Sequence, residues 1–175
     1  MQARAAILAG LIAGAVFLVL EMVMVPVFLD GRPWGPLRMM AAIVLGQGVL
    51  PPPGQMPAPP DASVLMAALT VHTGLSVLYA VILSALVSRA SAGGALVTGA
   101  AFGVLLYIVN FYGFTVLFPW FAMARNWVSI VAHAVFGLAA AWAYIALARI
   151  LKLYRPEAPI IRRRGVKDGL HSLSE

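Results

Sequence analysis

Four long apolar runs, each interrupted by one conspicuous polar side chain, dominate the chain at about residues 5–29, 62–88, 94–118 and 126–148. A helix needs about 20 residues to cross the hydrocarbon core of a bilayer, and each run meets that length. No ten-residue alternation of the kind that builds a barrel strand is present. The pattern therefore predicts an all-α fold, an integral membrane four-helix bundle in one domain over residues 1–152. Within the runs, small and polar residues recur at helical spacing. Gly10, Gly14, Phe17 and Glu21 share one stripe, as do His72, Ser76 and Tyr79; Gly99, Gly103, Tyr107 and Asn110; and Ser129, His133, Gly137 and Tyr144. The pairs Gly10–Gly14 and Gly99–Gly103 are GxxxG motifs, the kind of face on which membrane helices approach closely.

Only one connection is long. Residues 30–61 hold eight of the twelve prolines, and inside them lies LRMMAAIVLGQGVL, too short to span and too apolar for an open loop. An apolar segment of this length predicts an interfacial or re-entrant helix at about 37–50. The PPPGQMPAPP stretch that follows is stiff and extended. Asp61 and Ser63 are suited to cap the second span. The short SAGG turn after Arg89 predicts that the third span runs antiparallel beside the second. Trp34, Trp120 and Trp127, with several Phe and Tyr residues near 111–121, mark the level of the headgroups on one side. A weak internal repeat is also legible: Glu21, Pro33-Trp34 and Arg38 correspond in order to Asn110, Pro119-Trp120 and Arg125.

Composition agrees with this class, at 62% hydrophobic and 10% charged residues, against roughly a quarter charged in soluble proteins. The first run is longer than the apolar core of a signal peptide and contains Glu21, so it reads as a span. With no cysteine, disulfides, thiolate metal sites and covalently attached haem are excluded. The net charge of +6 is a topology signal, and no nucleic-acid partner is implied. Arg4, Arg89, Arg149, Lys152, Arg155, Arg162, Arg163, Arg164 and Lys167 fall on one side of a four-span layout, and Arg32, Arg38 and Arg125 on the other. The positive-inside rule then places both termini in the cytoplasm. Residues 153–175 form a basic cytoplasmic tail, whose Arg162, Arg163, Arg164 and Lys167 suit an anionic lipid surface.

Glu21, His72, Asn110 and His133 form the candidate site. Counted along their helices, all four fall in the outer half of the membrane within roughly 6 Å of one level. Ionisable groups at such depth are costly and by default mark function. Polar side chains also join membrane helices by hydrogen bonds, and a Glu21–His pair completed by Asn110 and a tyrosine hydroxyl meets that description. As a ligand set, His72 and His133 lie on parallel spans and suit the two axial positions of a b-type haem, with Gly74 and Gly137 leaving room for the macrocycle. Glu21, His72 and His133 suit a transition metal. Proton exchange at Glu21 is a further reading, although no acidic group continues a path inward.

At EMVMVP, RPWGPLRMMAAIVLG, NFYGFT, FPWFAMARNW and HAVFG the chain resembles a group of small four-span proteobacterial inner-membrane proteins of unknown role, sometimes labelled automatically as sodium:proline symporters. The resemblance implies a bacterial inner-membrane location and transfers no functional residues. True symporters of that class are built on inverted repeats with discontinuous helices, which four spans cannot supply. No nucleophile elbow or phosphate loop is present. The sequence reading is a non-catalytic accessory subunit of a larger inner-membrane complex, such as a respiratory one, with other membrane subunits or itself as partner and no cofactor required. The alternatives are a haem or metal protein, and a small oligomeric transporter or channel.

Overall fold

The computed structural model describes residues 1–153. Each apolar run is a helix: α1 is Ala3–Phe28, α3 is Ala62–Val87, α4 is Ala92–Ile108 and α5 is Trp127–Leu153, and the short α2, Trp34–Leu45, stands between the first two. With the irregular turns that carry α4 on to Val116, four helices among the described residues are long and apolar enough to cross a membrane. Their outward faces expose Val19, Val23, Val27, Leu86 and Val97, a surface matched to lipid rather than water. The fold is an all-α four-helix bundle with one short helix, and the chain is a multi-pass membrane protein.

Polar caps start α3, α4 and α5, the first of them at Asp61 as the sequence suggests. The Asp61 carboxylate accepts from the Val64 amide at 2.9 Å and from the Ser63 hydroxyl at 2.7 Å. The Ser91 hydroxyl accepts from the Gly94 amide, and the Asn126 side chain accepts from the Ser129 amide. Each cap satisfies an amide that the first helical turn leaves unpaired.

Small residues decide which helices touch. Ala5, Ala6, Ala9 and Ala13 are fully buried on α1, and a Cβ on Gly10 would come within 2.7 Å of the Val77 Cα on α3. On α4, a Cβ on Gly103 would overlap the His133 carbonyl, and one on Gly137 of α5 would overlap the Gly99 carbonyl. α1 thus packs between α3 and α5, and α5 between α1 and α4. At the opposite end from α2, the Gln2 side chain donates to the Ala148 carbonyl at 3.1 Å, so the start of α1 and the end of α5 share one end of the bundle.

One expectation about neighbours is corrected. The turn after α3 does send α4 back antiparallel, yet the two helices meet only sparsely along their length. The small-residue face of α1 is taken up by α3 and that of α4 by α5, so no such face remains to draw α3 and α4 together. Some boundaries move as well. The third span stops being α-helical at Ile108 and continues as a widened π turn, Val109–Gly113, and a 3-10 turn, Phe114–Val116. The helix expected at 37–50 is α2 and a 3-10 turn, Gln47–Val49, divided by Gly46 at φ +81°. The basic tail, with Arg162, Arg163, Arg164 and Lys167, lies outside the described residues apart from its first position.

The proline-rich connection is tied down by one side chain. Arg38 on α2 donates from Nε to the Ala58 carbonyl at 2.8 Å, from Nη1 to Val49 at 2.7 Å and from Nη2 to Pro59 at 3.0 Å. Arg125 does parallel work at the irregular end of the third span, donating from Nε to the Phe111 carbonyl at 2.7 Å and from Nη2 to the Thr115 hydroxyl. Extended and π segments leave carbonyls without helical partners, and the five-donor guanidinium is suited to collect them. The two halves of the weak repeat diverge around these arginines: Arg38 lies within the short α2, whereas Arg125 precedes the full span α5.

Candidate functional site

Where α3 and α4 part, a cavity of about 470 Å³ remains in the bundle. Glu21, His72, Asn110 and His133 all line it. Each is put there by a different cause. Glu21 lies on the small-residue stripe of α1, seven residues before the helix end, about 10 Å below it at 1.5 Å per residue. His72 shares a stripe with Ser76, against which Gly14 packs. Asn110 is carried by the π turn, where the helix widens and its side chain reaches two neighbours. His133 is pressed against Gly103 of α4, which leaves its ring directed at the cavity rather than at lipid.

Hydrogen bonds orient three of the four. The His72 Nε2 contacts the Gly14 carbonyl at 2.8 Å; a carbonyl only accepts, so Nε2 carries a proton. The His133 Nδ1 is 2.7 Å from the Ser129 carbonyl and must donate, leaving Nε2 to accept from the Asn110 amide at 3.2 Å. The Asn110 carbonyl in turn accepts from the Tyr79 hydroxyl at 2.9 Å. A continuous chain runs from Tyr79 on α3 through Asn110 to His133 and Ser129 on α5, bridging the helices that flank the gap.

Glu21 is the exception. It is 5% exposed, and its Oε1 is buried with no hydrogen-bond partner. The expected Glu21–His pair is not formed: the imidazoles are engaged by Gly14, Asn110 and Ser129 instead. The Phe17 ring stands against both imidazoles, its centroid 5.7 Å from His72 and 4.9 Å from His133.

The rest of the lining is apolar and aromatic. Phe111, Phe121 and Phe136 contribute rings, and Met39 and Met40 of α2 close the side under the connection. The Trp120 indole donates to the Met39 carbonyl at 3.0 Å, fastening α2 to the 3-10 turn Pro119–Ala124. Thr70, Gly74 and Phe114 are exposed and also line the cavity, so it opens sideways between α3 and α4. Trp34 begins α2, and Trp127 begins α5 with its ring 5.2 Å from Phe28 at the end of α1.

Haem and metal geometry can be set against this arrangement. Among the described residues, no three His, Asp or Glu side chains lie close enough together to hold a metal ion, so Glu21, His72 and His133 are not assembled as a ligand set. The ring nitrogens that face the protein are committed to hydrogen bonds. Gly137 gives no room to a macrocycle because α4 backbone fills the space beside it, whereas Gly74 does face open space.

Sequence reasoning did not anticipate Met39, Met40 and Phe121 as part of the site, because they come from connections whose placement depends on Arg38 and Trp120. Phe17 carried a signal, its place on the stripe between Gly14 and Glu21. Comparison with known proteins returns no match: no family model, no curated protein and no solved structure is similar to the chain.

Proposed function

We propose that the protein is a non-catalytic, membrane-embedded binding subunit that takes a small amphiphile from the lipid phase into the cavity between α3 and α4. The observation that carries this reading is the sideways opening of an aromatic-lined cavity of about 470 Å³ onto a buried polar floor. Ligand sites are typically concave, largely apolar and fitted with a few convergent polar groups, over roughly 300–1,000 Å³. A lateral entry suits a ligand that partitions into the bilayer.

The resemblance noted in the sequence implies a bacterial inner membrane, and charge supports placing both termini in the cytoplasm. Arg4, Arg89, Arg149 and Lys152 gather at one end, while Arg38 and Arg125 at the other are spent on backbone carbonyls. The working context we propose is a larger inner-membrane complex, to which the chain is accessory. The described residues are helices and short connections, with no separate domain on either side.

Purification of the full chain in mild detergent, with mass spectrometry of extracted small molecules and of co-eluting proteins, tests the reading. A stoichiometric amphiphile that is lost when Gly74→Trp fills the cavity is the expected result. Gly74 lines the cavity and a Cβ there has nothing within 4 Å, so an indole at this position meets no backbone. Loading unaffected by Gly74→Trp would overturn the site. Migration as a lone 18.5 kDa species would overturn the accessory role.

A further inference from the structure

We infer that the ligand of this cavity is a lipophilic cation, a hydrophobic amine or onium, whose charge is met by Glu21; this rests on the reading that the cavity binds an amphiphile. Most groups at the polar level are already paired. Tyr79, Asn110 and His133 satisfy one another and Ser129 in a closed chain. His72 donates from Nε2 to the Gly14 carbonyl. Among the described residues Glu21 alone has a fully buried side-chain oxygen without a partner, and such a group in a folded protein calls for an explanation.

Within the described residues the supply of positive charge near the cavity is already committed. Arg125 is bound to Phe111 and Thr115 and stacked over the Tyr112 ring at 4.4 Å. Arg38 is held by three carbonyls of the connection. Both histidines donate a ring N–H to a backbone carbonyl. Beside the Ser76 and Ser129 hydroxyls, which also line the cavity, the unengaged groups are the Glu21 carboxyl, with its unpartnered Oε1, and the His72 Nδ1. A ligand that complements them brings a positive charge or a donor.

The walls favour the same class. Rings from Phe17, Phe111, Phe114, Phe118 and Phe136 surround the space, and aromatic faces attract desolvated cations. A neutral quinone carries only acceptors and would leave the buried Glu21 oxygen without a donor. A fatty-acid carboxylate would confront Glu21.

The test uses the full chain in detergent and three probes of nearly the same shape and different charge: tetraphenylphosphonium, neutral tetraphenylmethane and anionic tetraphenylborate. Saturable binding of tetraphenylphosphonium is expected. Glu21→Gln should weaken it at least about tenfold, or 1.4 kcal/mol, while Glu21→Asp retains it; Gly74→Trp should remove it. Tetraphenylborate should fail to compete. Should Glu21→Gln unfold on purification, loss of cation binding in the Gly74→Trp protein together with a lack of tetraphenylborate competition still supports the inference. Equal competition by the neutral or anionic probe, or Glu21→Gln binding as well as the parent, would overturn the cation and leave an amphiphile site. Binding of none of the three probes would overturn both.

Discussion

The side-chain amide of Asn110 donates to Nε2 of His133 at 3.2 Å, across the boundary between a π turn and a regular helix. That contact is available because the helix widens at Val109–Gly113: the extra residue in the turn swings Asn110 toward α5 while its carbonyl still receives the Tyr79 hydroxyl. Widened turns of this type often occur at functional sites. Here the turn bridges α3 to α5 over the gap that α3 and α4 leave between them.

Coupling between Asn110 and His133 follows directly. Removal of Asn110 leaves Nε2 of a 5% exposed imidazole without a donor. Hydrogen bonds between membrane helices are worth about 0.6 kcal/mol on average and up to about 1.7. A double-mutant cycle of Asn110→Ala and His133→Ala, read by thermal unfolding in detergent, should return a coupling within that range. A coupling indistinguishable from zero would show that the contact contributes nothing to the bundle.

Two glycines on cavity-bordering helices should respond in opposite senses to the same change. Gly103→Ala places a methyl group against the His133 carbonyl, and the helices must separate. Such overpacking typically costs about 1–3 kcal/mol. Gly74→Ala meets nothing within 4 Å and restores helix propensity, worth up to about 1 kcal/mol. Thermal midpoints should fall for the first and hold or rise for the second. A fall of equal size in both would mean that the α4–α5 approach is not what makes Gly103 necessary.

Asp61 should give the connection a weak acid dependence. The Val64 amide, then the Ser63 hydroxyl, hold its carboxyl below the ordinary value of 3.8. A carboxyl lowered in the folded state stabilises the fold fully above its unfolded value, and the effect fades as pH falls through the lowered one. Asp61 is fully exposed, and water and salt screen the effect. Helix content measured between pH 6 and 2 should therefore show a small extra loss below about pH 4 in the parent that Asp61→Asn removes, since Asn still caps α3 and does not titrate. An identical acid profile in Asp61→Asn would reject the assignment.

Much of the fold is legible in the sequence because membrane insertion is a coarse filter. Apolar runs of sufficient length must be helices, since lipid offers no partner for a free amide. The four polar side chains were legible for the same reason: each stands out against its run. What the runs do not reveal is which faces meet. Ala5, Ala9 and Ala13 look alike along the chain, yet it is the opposition of Gly10 to Val77 and of Gly103 to His133 that commits α1 to α3 and α4 to α5. The parting of α3 and α4 is a by-product of those choices. The π turn is hidden too, because residues 104–112 keep their apolar character through it. The missing partner of Glu21 was beyond a one-dimensional reading, which credited every polar group with a mate.

Orientation in the membrane can be read from a single chemical probe, because the chain contains no cysteine. Gln55 is exposed in the proline-rich connection, and Gly93 is exposed at the start of α4 with open space around it. Single-cysteine variants at the two positions report opposite ends of the bundle. Arg89 lies beside Gly93, and Arg4, Arg149 and Lys152 belong to the same end. A basic residue near an anionic leaflet gains about 1 kcal/mol, so these charges should hold that end in the cytoplasm. At the other end Arg38 and Arg125 act as internal clamps on backbone carbonyls, which reduces their weight as orientation signals. Gln55→Cys should be modified in intact cells by a membrane-impermeant maleimide, and Gly93→Cys only after permeabilisation. The reverse pattern would put the cavity in the cytoplasmic leaflet, where its amphiphile would be drawn from the opposite lipid layer.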